Sequence, residues 1–295
     1  MSAAFRKVQE GPDFICIGAQ KAGTGWLYEQ LRHHPDFWMP PLKELHYFDR
    51  VVSSAATPRR SLPFARKEMD RLGIARERAV DQRDTDFLDR FEQLLSDRSL
   101  DLERYSDLFK PKAELLGGDI TPGYSILEQP VIQRIIDRLP AVKIIFIARD
   151  PVERAWSQLS MYVRRGLIER FNPDDLDQIT EHLKRPEIQA RSYPSEIVRR
   201  WRAQVAPDQF HVYFFDDLQR DAAELRRSII RFLGGDPGKQ SGKLTADFNA
   251  KATKQKLPLT ASARTHLAKF FENELRACAA EFGGPAANWP IRHRG

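Results

Sequence analysis

The run Phe14-Ile15-Cys16-Ile17 ends at Gly18 and feeds a second apolar stretch at Trp26, Leu27 and Leu31. This strand-to-helix junction constrains the fold more than any other feature. A strand that is apolar on both faces has to be covered on both faces, as strands are in a parallel sheet between helices. Val142–Ile147 (strong, β-branched), Phe210–Phe215 (strong, aromatic) and Leu115-Leu116-Gly117-Gly118 (the weakest) read as further buried strands. Helical patterns separate them. Thr85–Leu95 places Phe87, Leu88, Phe91, Leu94 and Leu95 on one face, and Leu102, Tyr105, Leu108 and Phe109 repeat the pattern. Pro258–Leu275 reads as a C-terminal helix with Leu259, Ala263, His266, Leu267, Phe270, Phe271 and Leu275 along its inner stripe. The expected fold is α/β, three layers (α/β/α) around a central parallel sheet. It is expected as one domain over residues 1–295 with a charge-dense helical insertion at about 50–112.

Composition narrows the function classes. At 295 residues, 41% hydrophobic and 30% charged, the chain has the balance of a soluble globular enzyme. No apolar run approaches the roughly 20 residues of a membrane span. The net charge of +6 and pI near 9.3 admit nucleic acid, anionic membranes or anionic small molecules as partners. Lys and Arg are interleaved with Asp and Glu, there is no basic tail, and the aromatics lie in core-like stripes, so no nucleic-acid partner is expected. Met1–Glu10 has no apolar h-region and is not a secretory signal. Cys16 and Cys278 are too few for a disulfide framework or a zinc cluster and read as small buried hydrophobes. The seven histidines show no metal-ligand spacing, so no metal is expected. A cytoplasmic protein is expected.

Gly18-Ala19-Gln20-Lys21-Ala22-Gly23-Thr24-Gly25 lies directly between the first strand and the first helix. Glycines let backbone N–H groups approach a phosphate, and the following helix N-terminus adds positive potential. Lys21 supplies a mobile charge, and Thr24 supplies an N–H and a hydroxyl. The loop is P-loop-like without being a Walker A, which requires a lysine immediately after Gly23; here Thr24 stands there and the lysine lies at Lys21.

The segment FICIGAQKAGTGWLYEQLRHHPDFWMPPLKELHYFDR resembles the 5′-phosphosulfate loop and following region of sulfotransferases that use 3′-phosphoadenosine-5′-phosphosulfate (PAPS), particularly the heparan-sulfate-type and related bacterial branch. The matching pieces are Lys21–Thr24, His34-Pro35 and Glu44-Leu45-His46-Tyr47-Phe48. Val142 to Ser157 is similar to the family's 3′-phosphate motif: a strand, Arg149-Asp150-Pro151, then Arg154 and Ser157 on a helix. Arg149 ends a buried strand, where open α/β sheets bind ligands, and a guanidinium grips phosphate bidentately. Asp150, Pro151 and Glu153 read as an N-cap, first-position proline and capping-box glutamate, in preference to a magnesium ligand.

The resemblance implies a transferase moving a sulfuryl group from PAPS to a hydroxyl or amine, with no metal required and 3′,5′-adenosine bisphosphate as product. It assigns cofactor contacts to Gln20, Lys21, Ala22, Gly23, Thr24, Gly25, Trp26, Arg149, Ser157 and Tyr193, and more loosely to Lys251 and Lys254. Lys21 would stabilise charge on the bridging oxygen and Glu44 would be the general base. His46 would face the same way in an extended segment, with Lys43 pointing oppositely toward the surface. Gly118-Asp119-Ile120-Thr121-Pro122-Gly123-Tyr124 departs from the family's Glu-Lys-Thr-Pro-x-Tyr pattern. Ile120 stands where heparan-sulfate enzymes carry a lysine. The acceptor, a small molecule, lipid or glycan, is expected among the 40s segment, Asp119–Tyr124 and the 50–112 insertion. Trp38, Tyr47 and Phe48 are open between acceptor stacking and core. A P-loop nucleoside or sugar kinase is the alternative.

Overall fold

The computed structural model describes residues 9–49, 62–96, 99–239, 245–246 and 256–293, with backbone alone over 62–68. Its sheet has four strands, β1 (Phe14–Gly18), β2 (Gly118–Ile120), β3 (Lys143–Ala148) and β4 (Phe210–Phe214). They are ordered β2-β1-β3-β4 and every pairing is parallel. Phe14 lies opposite both Gly118 and Lys143, and Ile144 lies opposite Phe210. Every residue of β1 is buried, as a strand apolar on both faces demands.

The helices are α1 (Thr24–Arg32), α2 (Leu62–Glu77), α3 (Gln82–Ser96), α4 (Leu102–Asp107), α5 (Gln129–Arg138), α6 (Pro151–Arg164) and α7 (Leu176–Leu183). They continue with α8 (Pro186–Gln189), α9 (Pro194–Arg202), α10 (Phe215–Arg220), α11 (Ala222–Leu233), α12 (Ala261–Phe270), α13 (Glu272–Phe282) and α14 (Trp289–Arg292). From β1 the chain moves outward to β2, then crosses back to β3 and on to β4. Right-handed crossovers therefore place helices on both faces of the sheet. In agreement, α1 packs with α11, whereas α5 packs with α4 and α9, and α9 with α13. The connections of β1 and β3 leave in opposite directions. Their carboxyl ends flank the crevice where such sheets hold ligands. No helix among the described residues is long and apolar enough to cross a membrane.

Three elements differ from the sequence reading. The weak strand lies at Gly118–Ile120 and not at 115–118. Leu116 makes only an isolated bridge to Phe37, and the Gly117 N–H goes to the Asp13 carboxylate at 2.8 Å. Gly118 is needed because a Cβ there would fall 2.4 Å from the Phe14 ring. Phe215 begins α10 and does not close β4. The C-terminal helix is two: Thr260 caps α12 at the Ala263 N–H, the helix breaks at Phe271, and α13 continues. Ala263, Leu267, Phe271 and Leu275 are buried across the break, so the apolar stripe survives it. Beyond it, Trp289 is fully buried against the Phe214 ring, 6.1 Å between centroids. Truncating a side chain of that size in a core costs about 3–5 kcal/mol.

The helices α2, α3 and α4 fall within the expected insertion, part of which lies outside the described residues. On α3, Phe87, Leu88, Phe91 and Leu94 are buried and Leu95 is half-buried, matching the predicted stripe. Tyr105 of α4 reaches into a buried polar hub at the end of β2. There Asp119, 1% exposed, accepts hydroxyls from Thr121 (2.6 Å), Tyr124 (2.7 Å) and Tyr105 (3.0 Å). Burial pushes the Asp119 carboxyl up, and these donors offset part of that rise. The Tyr124 hydroxyl in turn accepts the Tyr47 N–H at 3.1 Å, which ties β2 to the 44–49 segment. Tyr124→Phe removes one donor from Asp119 and orphans the Tyr47 N–H. It is expected to lower stability by about 1–3 kcal/mol, read as a lower urea midpoint at neutral pH.

Candidate functional site

The loop between β1 and α1 turns on the Ala22 N–H to Ala19 carbonyl bond, 3.1 Å. Lys21 and Gly23 both take positive φ, 73° and 88°. At Gly23 a Cβ would fall 2.4 Å from Leu218 Cδ2, so only glycine fits. Gly23 is also the N-cap of α1 and has no capping side chain, and the first turn carries no acid. The first N–H groups of α1 therefore point from the loop without a side-chain acceptor. Thr24 is buried and Gly25 is open. Trp26 is buried, and its indole N–H donates to the Ala246 carbonyl at 2.9 Å.

Across the crevice, Arg149 follows β3. Its Nη1 donates to the Lys21 carbonyl at 2.5 Å, and its guanidinium lies 4.3 Å from the centre of the Phe215 ring. Arg149 Nε and Gln20 Oε1 are buried without hydrogen-bond partners among the described residues. Burial pulls the Arg149 pKa down. Lys21 is pulled down to about 8, first by burial and then by the charges of Arg164, Arg149, Arg165 and Lys256. Every charge acting on Lys21 in that set is positive. Arg149 is partly offset by Glu153, Asp150 and Asp216, so the excess of positive charge falls on Lys21.

Asp150 caps α6, with Oδ1 accepting the Val152 N–H at 3.0 Å. The capping-box contact is not made, because Glu153 turns to Arg264 (2.7 Å) and toward Arg149 (3.9 Å). Ser157, half-buried, sits four residues beyond Glu153 on the same face of α6. Arg154, quoted in the motif without a role, is fully buried and bonds only neutral partners, Gln158 (2.7 Å) and Ser192 (2.5 Å). Burial, Arg191 and Arg149 pull it down to about 9. Its signal in the sequence was an arginine inside an apolar helix face. Tyr193 follows Ser192 at the start of α9, edge-on to the Phe271 ring at 6.0 Å. Lys251 and Lys254 lie outside the described residues.

Glu44 and His46 do meet, though not through an extended chain. Both take positive φ, 62° and 54°, and Glu44 Oε2 lies 3.4 Å from His46 Nε2. Among the described residues the non-glycine positive-φ positions are Lys21, Glu44, His46 and Ala113. Such backbone costs of order 1–3 kcal/mol per residue and tends to cluster at functional sites. Lys43, expected to point away, instead pairs with Glu44 Oε1 at 2.6 Å, because the left-handed turn brings neighbouring side chains together. Burial works to raise the Glu44 carboxyl, but the His46 hydrogen bond and Lys43 outweigh it and hold it well below the carboxylate range. Burial works to lower His46, yet Asp49 (2.8 Å) and Glu44 push it up to about 9. Trp38, Tyr47 and Phe48 are core residues, 6%, 2% and 0% exposed, which removes the stacking alternative.

A sequence model of the Sulfotransferase family matches residues 12–236. The chain belongs to that family. A sulfotransferase from Alicyclobacillus acidocaldarius is similar in structure: 22% identity, 94% of this chain and 98% of that one covered, TM-score 0.64. The sulfotransferase domain from the curacin biosynthetic pathway aligns at 15% identity over 89% of this chain and 98% of its own, TM-score 0.53. The sulfotransferase domain of the Synechococcus PCC 7002 olefin synthase aligns at 15% identity over 92% and 98%, TM-score 0.50. These likenesses show the P-loop-like α/β fold expected from the sequence. A search of curated proteins found no match.

The raised His46 pKa has a consequence for stability. A cation favoured by folding contributes fully below the unfolded pKa of 6.5, and its contribution is lost as pH rises through about 9. Urea midpoints of the wild type are expected to fall between pH 6.5 and 9, and His46→Gln is expected to flatten that fall.

Proposed function

We propose that this sulfotransferase takes PAPS as donor and transfers its sulfuryl group to a hydroxyl or amine of a small-molecule or glycan acceptor. The observation that carries the reading is the meeting of Lys21 and Arg149 at the crevice between β1 and β3, with Glu153 only loosely paired to Arg149 at 3.9 Å. The unpartnered Arg149 Nε and Gln20 Oε1 match a ligand with both donors and acceptors. Gln20, Lys21, Ala22, Gly23, Thr24, Gly25 and Trp26 would hold the 5′ side through loop N–H groups and the Lys21 ammonium. Arg149, just after β3, and Ser157, on α6, would hold the 3′-phosphate. Tyr193 would border the site beside Ser192, and Lys256 joins the cationic rim where Lys251 and Lys254 were expected.

When bound, PAPS supplies the sulfuryl group. The chain orients that group, neutralises charge on the leaving phosphate and holds the acceptor's proton. Lys21 becomes a fuller cation against an anion, because opposite charge reverses the depression caused by its neighbours. Glu44 is the proposed base. It stays ionised across the neutral range, and an acceptor that displaces Lys43 from Oε1 removes part of what holds its basicity down. His46, bridged between Glu44 and Asp49, orients that carboxylate. Ile120 is buried in β2, so this position offers no cation to a sulfated polysaccharide. The free, buried thiols Cys16 and Cys278 fit the cytoplasmic setting, and the whole chain is proposed as one domain with its helical insertion.

The kinase alternative is weaker on two counts. The lysine after Gly23 is absent. Asp150, the magnesium ligand in that reading, commits Oδ1 to the Val152 N–H and Oδ2 to His293 at 2.7 Å.

Titration calorimetry tests the donor. Adenosine 3′,5′-bisphosphate is expected to bind far more tightly than Mg·ATP, and Arg149→Ala to weaken it by about tenfold to a hundredfold. Preference for Mg·ATP would overturn the donor reading. Glu44→Gln is expected to keep nucleotide affinity while turnover with a screened acceptor drops by about 10²–10⁴. Turnover retained in that variant removes Glu44 from the base role.

A further inference from the structure

The C-terminal segment beyond the family match reaches back to the residue that the donor reading assigns to the 3′-phosphate. Glu153 is one helical turn from Arg149 and would, left alone, close onto it as a tight charge-assisted pair. It does not: Glu153 Oε2 stands 3.9 Å from Arg149 Nη2, while Oε1 is fastened to Arg264 Nη1 at 2.7 Å. Arg264 is itself fixed by His293, with Nη1 donating to Nδ1 at 3.3 Å. A guanidinium only donates, so Nδ1 accepts and Nε2–H must be the donor to Asp150 Oδ2, 2.7 Å away. His293 and Asp150 are both almost fully buried. The anchor is completed by Trp289 and Arg292, which both bond Asp216.

We propose that Arg264 and His293 form a clamp that holds Glu153 off Arg149, keeping the Arg149 guanidinium open to a ligand phosphate. The proposal rests on the donor reading above. In this role Arg264 and His293 are positioning residues, each acting through the next group in the chain His293–Arg264–Glu153–Arg149. Without the clamp, Glu153 would swing onto Arg149 and compete with the 3′-phosphate for the same donors. The clamp therefore controls selectivity for a nucleotide that carries a 3′-phosphate over one that lacks it.

Calorimetry on the full chain with adenosine 3′,5′-bisphosphate and adenosine 5′-monophosphate tests this, with thermal melts confirming that each variant folds. Arg264→Met is expected to weaken the bisphosphate by about tenfold and the monophosphate by less than about twofold. Adding Glu153→Gln to Arg264→Met is expected to restore bisphosphate affinity, since the competing charge is gone. Arg264→Lys, which still pairs with Glu153, is expected to stay near wild type. Should the Met variant not fold, Arg264→Gln keeps a donor to Glu153 without the charge and is expected to lose part of the selectivity. Equal weakening of both nucleotides, no recovery in the double variant, or unchanged selectivity in both Arg264→Met and Arg264→Gln overturns the clamp alone. A wild-type chain that binds neither nucleotide overturns the donor reading and the clamp together.

Discussion

The hydrogen bond from Arg149 to the Lys21 carbonyl joins the ends of β1 and β3, and the rest of the site is arranged around it. It forms because the two strands are adjacent and parallel, with Ile15 opposite Ile144 and the pairing carried on by the Ala19 N–H to the Ile147 carbonyl. Parallel pairing puts both strand ends, and so both cationic groups, at the same edge of the sheet. Held there among cations, Lys21 loses proton affinity to burial and to its neighbours. That repulsion is a cost to the free protein which a bound anion offsets, so ligand binding and fold stability are linked through the same residues.

The 43–49 segment has the opposite electrostatic character. Glu44, Lys43, His46 and Asp49 form an internally balanced chain of charges on a left-handed stretch of backbone. It is held in place by the hub at Asp119, whose hydroxyl donors include the Tyr124 that also receives the Tyr47 N–H. A carboxylate this buried persists because each of its oxygens is hydrogen-bonded. One group thus carries an excess of positive charge at Lys21 and the other is internally balanced. That difference separates where an anionic donor group would sit from where a proton would be handled.

Arg154 ties together two helices of the connection from β3 to β4. A fully buried guanidinium with only Gln158 and Ser192 for partners raises the positive potential behind Arg149. It also fixes the start of α9 relative to α6, because Ser192 directly precedes Tyr193 and the helix that follows. Electrostatic bias and helix placement are carried there by one side chain.

Much of this was legible in the order of residues. The apolar runs at Phe14, Val142 and Phe210 determined three strands, since four or more consecutive apolar residues bounded by turns have few other uses. The glycines around Lys21, and the Asp150-Pro151 start of α6, determined a phosphate-type loop and a capped helix, because both depend on local backbone chemistry. The weak strand was placed three residues early, for the apolar pair Leu115-Leu116 serves Phe37 and the pairing residue is the glycine that Phe14 crowds. The direction of Lys43 was missed because it depends on positive φ at Glu44 and His46, which side-chain alternation does not anticipate. Tertiary structure alone brought Arg264 and His293, more than a hundred residues away in sequence, to Glu153 and Asp150. Local sequence specifies the groups a chain presents; which of them stay free and which are neutralised is decided only when distant segments pack.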